Sequence, residues 1–426
     1  MSKLIIEGGT ALNGSIKVSG NKNAALPMIA ACLLTDKAIT LHNLPDILDV
    51  KHMLEALQSL GASIERHADS VTIHAKDLSK SSLDHETCSK IRTSILLVAP
   101  ILYRTGKVEL HPPGGDVIGR RRLDTHFYGL EKLGAKLTDS FPAFVFEAKD
   151  GFSGSDLFFD QASVTATEHI LMAAVVAKGK TWIRNAASEP HVQNLAEMLI
   201  SMGARIKGLG TNCLEIDGVS SLDGGDIHIG GDYIEAASFL ALGAATGGEI
   251  TVTGTNKSDF WMARRVFERL GIQLNMEHSQ ISIDPNSPRK IQADFGGAIP
   301  VIDDGPWPQF PSDMMSCMIV LASQVEGTVL FFEKMFESRL YFVDRLISMG
   351  ANAIVCDPHR VVISGPAKLR ANTLSSPDIR AGMALLGGAL CASGTSTVKN
   401  IQMIDRGYAN IESRLLQLGA RVKRVD

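Results

Sequence analysis

The chain has 426 residues, 45% hydrophobic and 21% charged, a globular composition too long for one ordinary domain; two domains, or one repeat-built body in two lobes, are expected. A net charge of −4 excludes global attraction to nucleic acid or to an anionic membrane, so an anionic substrate needs a local basic site. There is no signal-peptide pattern, no apolar run long enough to span a bilayer, and no CxxC among the six cysteines; a cytoplasmic protein with reduced thiols, no metal and no organic cofactor is expected.

Along the chain, the first polar start is Gly20-Asn21-Lys22-Asn23, which leads into an apolar helix over 24–34 and then a strand, Ala38-Ile39-Thr40-Leu41. An amphipathic helix over 50–60 ends at Leu60-Gly61-Ala62, where the glycine reads as a left-handed C-cap before a short β run. The order then repeats. Apolar helices over 91–103, 167–177, 234–246, 313–325 and 379–392 are each followed by a strand, such as Thr181-Trp182-Ile183 or Thr328-Val329-Leu330. Each set closes on the same signature: Leu133-Gly134-Ala135, Met202-Gly203-Ala204, Leu270-Gly271-Ile272, Met349-Gly350-Ala351 and Leu418-Gly419-Ala420. The glycines lie roughly 70 residues apart, too long for a solenoid repeat and about right for a small α/β unit. Helices apolar on every side are buried. Six such units in two sets of three predict two similar α/β lobes, with a cleft as the expected binding place.

The helix starts carry the polar information. Ser163, Ser312 and Asp378 read as ordinary N-caps. Lys22, Arg92 and Arg380 do not, because a cation at a helix N-terminus opposes the macrodipole; an anion between cation and dipole resolves the conflict. The loops after the strands add arginines. The second unit has Pro112-Pro113-Gly114-Gly115-Asp116-Val117-Ile118-Gly119-Arg120-Arg121-Arg122-Leu123-Asp124. The fifth has Met335-Phe336-Glu337-Ser338-Arg339 and the sixth Met403-Ile404-Asp405-Arg406-Gly407-Tyr408. A basic triplet alone can be a solvated surface run, but an arginine in the same loop of three units points to capture of phosphate and carboxylate. The residues predict a cleft for a small substrate with two anionic groups.

These segments, together with Ser19-Gly20-Asn21-Lys22-Asn23-Ala24-Ala25-Leu26-Pro27, Arg92-Thr93-Ser94 and Phe310-Pro311-Ser312-Asp313-Met314, resemble the enolpyruvyl transferases over 4–425. They are closer to the branch that uses UDP-N-acetylglucosamine than to the shikimate-pathway branch. The resemblance implies a two-lobed inside-out α/β barrel of six repeated units. Residues 22–231 would form the first lobe, carrying the Asp116 loop; residues 1–21 and 232–426 would form the second, carrying Asp313, Arg339 and Arg406. It also implies transfer of the enolpyruvyl group of phosphoenolpyruvate (PEP) to the 3′-hydroxyl of UDP-N-acetylglucosamine with release of phosphate, a step of peptidoglycan precursor synthesis. By the same resemblance, Lys22, Arg121 and Arg406 hold the PEP phosphate and Arg92 adds to the anionic environment. Asn23 and Asp313 contact the sugar, with Asp313 as base for the hydroxyl. Arg121, Arg122, Leu123, Asp124 and Thr125, with Gln161, Ala162, Ser163, Val164 and Met335, frame the nucleotide side; Arg339, Asp378 and Arg380 line the cleft.

The main departure is Asp116, where most of the family carries a cysteine as proton donor, the residue alkylated by fosfomycin. A carboxyl can donate that proton, although three neighbouring arginines favour its charged form. Arg122, Gln161 and Thr165 also depart from the family pattern, all on the nucleotide side. A different acceptor (UMP or shikimate 3-phosphate), or a non-catalytic paralogue that binds UDP-sugars, therefore stays open.

Overall fold

In the computed structural model, which describes residues 2–116 and 118–425, the repeat is written as six four-stranded sheets of one topology. In one of them Ser82–Leu83 lies parallel to Lys107–Leu110, which is antiparallel to Phe144–Glu147, which is antiparallel to Lys136–Asp139. The sheet of Val301–Asp303, Gly327–Phe332, Arg360–Gly365 and Asn352–Asp357 has the same order and the same senses. In Gly327–Phe332 only alternate residues, Val329 and Phe331, are fully buried, the period of a sheet with one face on the core.

The glycine signatures do what their position requires. Gly61, Gly134, Gly203, Gly271, Gly350 and Gly419 all have positive φ, between 77° and 110°. A residue with a Cβ is strained there, so glycine ends each amphipathic helix and turns the chain into the next strand.

The apolar helices lie in the core. Every residue of Tyr233–Ala245 is buried, and this helix packs with Ser312–Ala322. Ser312–Ala322 packs in turn against Ile379–Cys391. A Cβ on Gly387, in Ile379–Cys391, would come within 3.1 Å of Leu242 on Tyr233–Ala245, so a glycine permits the close approach of these two helices. Each fully buried Leu, Ile or Phe in this core contributes about 1.5–3 kcal/mol. Among the described residues, no helix is long and apolar enough to cross a membrane. The expected single helix over 91–103 is divided into a 3-10 helix, Arg92–Leu97, and an α-helix, Val98–Thr105. Pro100 lacks an N–H and its ring crowds the carbonyl four residues back, so one α-ladder cannot run through the segment.

The chain forms two compact units. One comprises Met1–Ser19, Asp116–Arg120 and Gly231–Asp426; the other comprises Gly20–Gly115 and Arg121–Gly230. Asp116–Arg120, expected with the 22–231 lobe, thus belong to the unit that contains Asp313. In that unit Gly14–Lys17 pairs with Ile250–Thr253, and Lys3–Glu7 lies between Thr395–Lys399 and Arg421–Val425. In the other, Gly225–His228 pairs with Ala38–His42.

Candidate active site

In the unit containing Gly231–Asp426, the starts of two buried helices bring opposite charges together. Asp313 is the second residue of Ser312–Ala322. Its Oδ1 accepts from Arg339 Nη2 at 2.8 Å, and its Oδ2 accepts from Arg380 Nη2 at 3.0 Å and Nε at 3.2 Å. Arg380 also donates from Nη1 to the Tyr408 hydroxyl at 3.0 Å. That hydroxyl lies 2.9 Å from Ser238 Oγ, whose own proton goes to the Ile234 carbonyl, so Tyr408 donates to Ser238 and accepts from Arg380. Burial pushes the Tyr408 phenol up, with Arg380 opposing, so the phenol keeps its proton. The Arg380 guanidinium is thus fixed on two sides.

Asp378 caps Ile379–Cys391, accepting from the backbone N–H of Arg380 at 2.8 Å and of Ala381 at 2.9 Å. Burial raises its pKa, Arg339 and the two N–H donors lower it, and the Asp116 charge adds to the rise. Asp116 accepts from Arg406 Nη1 at 2.5 Å, with both side chains mostly buried. Beside it, Arg120 N–H donates to Glu337 Oε2 at 3.1 Å and Ser338 N–H to the Ile118 carbonyl at 3.1 Å. A Cβ on Gly119 (φ 132°) would lie 2.2 Å from Glu337 Oε2, so glycine lets this loop settle on Glu337.

The other unit carries its own set. Lys22 opens the helix Lys22–Ala31, capped by Asn21, and its ammonium pairs with Asp49 at 2.8 Å. Asn23 follows, half-buried, its N–H donating to Asn21 Oδ1 at 2.8 Å. Arg92 opens its 3-10 helix and donates from Nη2 to the Arg121 carbonyl. Burial, and then the Arg121 charge, push Arg92 down to about 10, so the two cations stand unfavourably close. Gly114 and Gly115 allow this: their Cβ atoms would lie 1.9 Å from the Ser89 carbonyl and 2.8 Å from Arg92 Cβ. Arg122 pairs with Asp124 at 2.7 Å in solvent. Leu123 precedes the helix Asp124–Lys132, which includes Thr125. Gln161 is exposed, while Ala162, Ser163 and Val164 are half-buried. Ser163 caps Val164–Ala174 through the Ala166 N–H, as expected.

Ser312 is not the cap expected of it. It is the first helical residue, and its hydroxyl donates to Glu333 at 2.7 Å. Glu337 likewise holds the Arg120 backbone, and Arg339 bonds to Asp313. The cations at helix starts, read as requiring a bound anion, also have internal partners: Asp49 for Lys22 and Asp313 for Arg380. Residue type alone could not reveal this, because both partners lie on other elements. Sequence reasoning also missed Asp49, Ser238, Asp304 and Glu333. The one available signal was Asp49, an acid in the first turn of Leu48–Ser59. Met335 is 42% exposed and its N–H donates to Glu333.

A sequence profile of the family described as EPSP synthase (3-phosphoshikimate 1-carboxyvinyltransferase) matches residues 6–415. The UDP-N-acetylglucosamine 1-carboxyvinyltransferase of Borreliella burgdorferi is 51% identical over 425 residues, covering 100% of this chain and 99% of its own. That of Bradyrhizobium diazoefficiens is 51% identical over 422 residues, covering 99% of this chain and 97% of its own. The crystal structure of the enolpyruvyl transferase NikO from Streptomyces tendae superposes with a TM-score of 0.88 at 20% identity, covering 100% of this chain and 99% of that one, a likeness of fold. The chain belongs to the enolpyruvyl (1-carboxyvinyl) transferase family, with its relatives of about half-identical sequence among the UDP-N-acetylglucosamine 1-carboxyvinyltransferases.

Proposed function

We propose that the protein transfers the enolpyruvyl group of PEP to the 3′-hydroxyl of UDP-N-acetylglucosamine and releases phosphate, the first committed step of peptidoglycan precursor synthesis. The observation that carries this reading is full-length identity of about half to relatives of that name, joined to a carboxylate, Asp313, oriented by two guanidinium groups. An alcohol needs a positioned base to attack C2 of PEP. Asp313 takes the hydroxyl proton, the oxygen bonds to C2, and the C2–C3 π pair takes a proton at C3. In the second half the C3 proton leaves, the double bond re-forms, and the C2–O bond to phosphate breaks.

Asp116 is assigned to supply the other proton, and Arg406 to hold the phosphate. An arriving PEP phosphate competes with Asp116 for Arg406, a stronger bidentate partner being the phosphate. Once displaced, the Asp116 carboxylate takes up a proton from solvent, delivers it to C3, and takes one back from C3 as phosphate leaves. Lys22 and Arg121 are assigned to the same phosphate, with Arg92 adding positive potential. Asn23 is assigned to the sugar. The residues 121–125 and 161–164, with Met335, are assigned to the nucleotide; Arg339, Asp378 and Arg380 hold Asp313 and its surroundings. Fixed cations around a leaving phosphate stabilise developing charge without reorganisation.

The test is phosphate release from PEP with UDP-N-acetylglucosamine, UMP or shikimate 3-phosphate as acceptor. Release with the first alone is expected, and Asp116→Asn and Asp313→Asn should each lower kcat by about 100-fold or more. Release with another acceptor only, or with none, overturns the reading; full activity in Asp116→Asn removes Asp116 from the acid role.

A further inference from the structure

Behind Asp313, in the same unit, lie two carboxyls that the reaction leaves untouched. Asp304 and Glu333 are both 0% exposed. They follow the parallel strands Val301–Asp303 and Gly327–Phe332, in which Asp303 stands opposite Phe332, so the register sets the next residues, Asp304 and Glu333, side by side. Glu333 Oε1 accepts from the backbone N–H groups of Met335 and Phe336, each at 3.0 Å. Its Oε2 accepts from Ser312 Oγ at 2.7 Å and lies 3.9 Å from Arg339 Nε. Asp304 Oδ1 accepts from the Lys334 N–H at 2.5 Å. Asp304 Oδ2 is buried with no donor, and Arg339 Nε is buried with no acceptor within hydrogen-bond reach.

Two adjacent carboxylates in a dry site do not both ionise at neutral pH, and an oxygen that meets only another carboxyl needs a proton on one of them. Burial first, and the adjoining Asp304 second, push Glu333 up to about 8, against the pull of Arg339. The other groups facing the pair are few. Ser312 and Asp313 come from the helix Ser312–Ala322, and Arg339 from the 3-10 helix Arg339–Phe342. Lys334 contributes its backbone, its ammonium being engaged by Asp303. His359 donates from Nδ1 to the Glu333 carbonyl at 2.7 Å.

We propose that Asp304 and Glu333 are a one-proton carboxyl pair that positions Ser312, Arg339 and the Met335 turn, and through Arg339 holds Asp313 in the orientation for accepting the substrate proton. The last step rests on the reading of Asp313 as the base. With one proton the pair carries a single negative charge, and Arg339 keeps its bond to Asp313. Loss of that proton adds a second negative charge 3.9 Å or so from Arg339 Nε and draws the guanidinium off Asp313. Both residues are positioning residues; neither touches the reacting atoms. The pair should therefore add an alkaline limb to turnover, a fall above a pH of about 8.

Asp304→Asn tests this, because an amide N–H replaces the shared proton at every pH. The first readout needs no turnover. The infrared difference spectrum of parent minus Asp304→Asn should show the carbonyl band of a protonated carboxyl, and the parent should lose that band as the pH passes about 8. The second is the pH profile of kcat/KM, whatever the height of its plateau. One unit above the break the parent should keep about a tenth of its plateau value and Asp304→Asn most of its own. Absence of the band, or an alkaline limb that stays in place in the variant, overturns the proposal. Asp313→Asn separates the two readings: the band should survive while turnover is lost. Turnover at the parent rate in Asp313→Asn would sink the base, with the band still deciding the pair.

Discussion

At the scale of the residue, Asp116 determines the chemistry that can be done to this protein. Its carboxylate is engaged by Arg406 at 2.5 Å and is mostly buried. A carboxylate so paired is a far poorer nucleophile toward an epoxide than a thiolate. Incubation with fosfomycin should leave both mass and activity unchanged, while Asp116→Cys should gain one adduct and lose activity. A one-adduct shift in the parent, with inactivation, would show the reverse. Asp116 could be found in the sequence because it lies in a local motif, directly after the paired glycines Gly114 and Gly115. The partners of Asp313 could not. Arg339 and Arg380 stand 26 and 67 residues further along, and only the packing of helix starts brings them to one carboxylate. Ser312 was misread for a related reason. A serine before a helix suits a cap, but a buried acceptor from a neighbouring strand end, Glu333, takes its hydroxyl instead.

At the scale of the element, the period of apolar residues and the glycine caps made helices and strands legible, and the proline at 100 divided one helix where the pattern alone ran on. What periodicity could not show is polar chemistry between buried helices. His126, on Asp124–Lys132, and His169, on Val164–Ala174, meet with their Nδ1 atoms 3.1 Å apart. The Ala99 N–H donates to His169 Nε2 at 3.1 Å, so His169 carries its proton on Nδ1 and gives it to His126. His126 then holds its own proton on Nε2, 3.3 Å from the Thr165 hydroxyl. Burial lowers both, His169 to about 3, with the His169 and Arg92 charges adding to the effect on His126. The sign follows from the unfolded chain, where histidine takes up a proton near pH 6.5. Stability from the neutral pair is complete above that pH and is lost as the pH falls toward the folded values. By pH 5 each histidine should cost about 2 kcal/mol. Thermal melts at pH 7 and pH 5 should show a fall in Tm that is smaller in His126→Asn/His169→Gln; an equal fall in both proteins would mean that other groups set the acid limb.

At the scale of the whole molecule, the repeat made the number of units legible, and the resemblance placed residues 1–21 with 232–426, close to the observed grouping of Met1–Ser19 with Gly231–Asp426; the partners of the individual strands were not legible. A repeat of fixed period announces itself six times, whereas the partner of a strand depends on pairing between distant segments. The strand Lys3–Glu7 shows how far this goes: it is hydrogen-bonded on one side to Thr395–Lys399 and on the other to Arg421–Val425. It is a central strand, so its removal leaves two strands without a common neighbour. Leu4 and Ile6 point into the core at 0% exposure, and each contributes about 1.5–3 kcal/mol by burial. Together with two lost ladders, this equals much of the stability of an ordinary domain, about 5–15 kcal/mol. Deleting residues 2–8 should therefore unfold the unit that contains Gly231–Asp426, even though the deleted segment holds none of the site. The sheets of the other unit contain no strand from this segment, so the loss should be local. Hydrogen exchange read by mass spectrometry should show protection lost in peptides from 231–425 and retained in peptides from 20–115 and 121–230. A truncated chain that melts at the parent Tm with all peptides protected would show that the neighbouring strands close over the gap and that Lys3–Glu7 is dispensable.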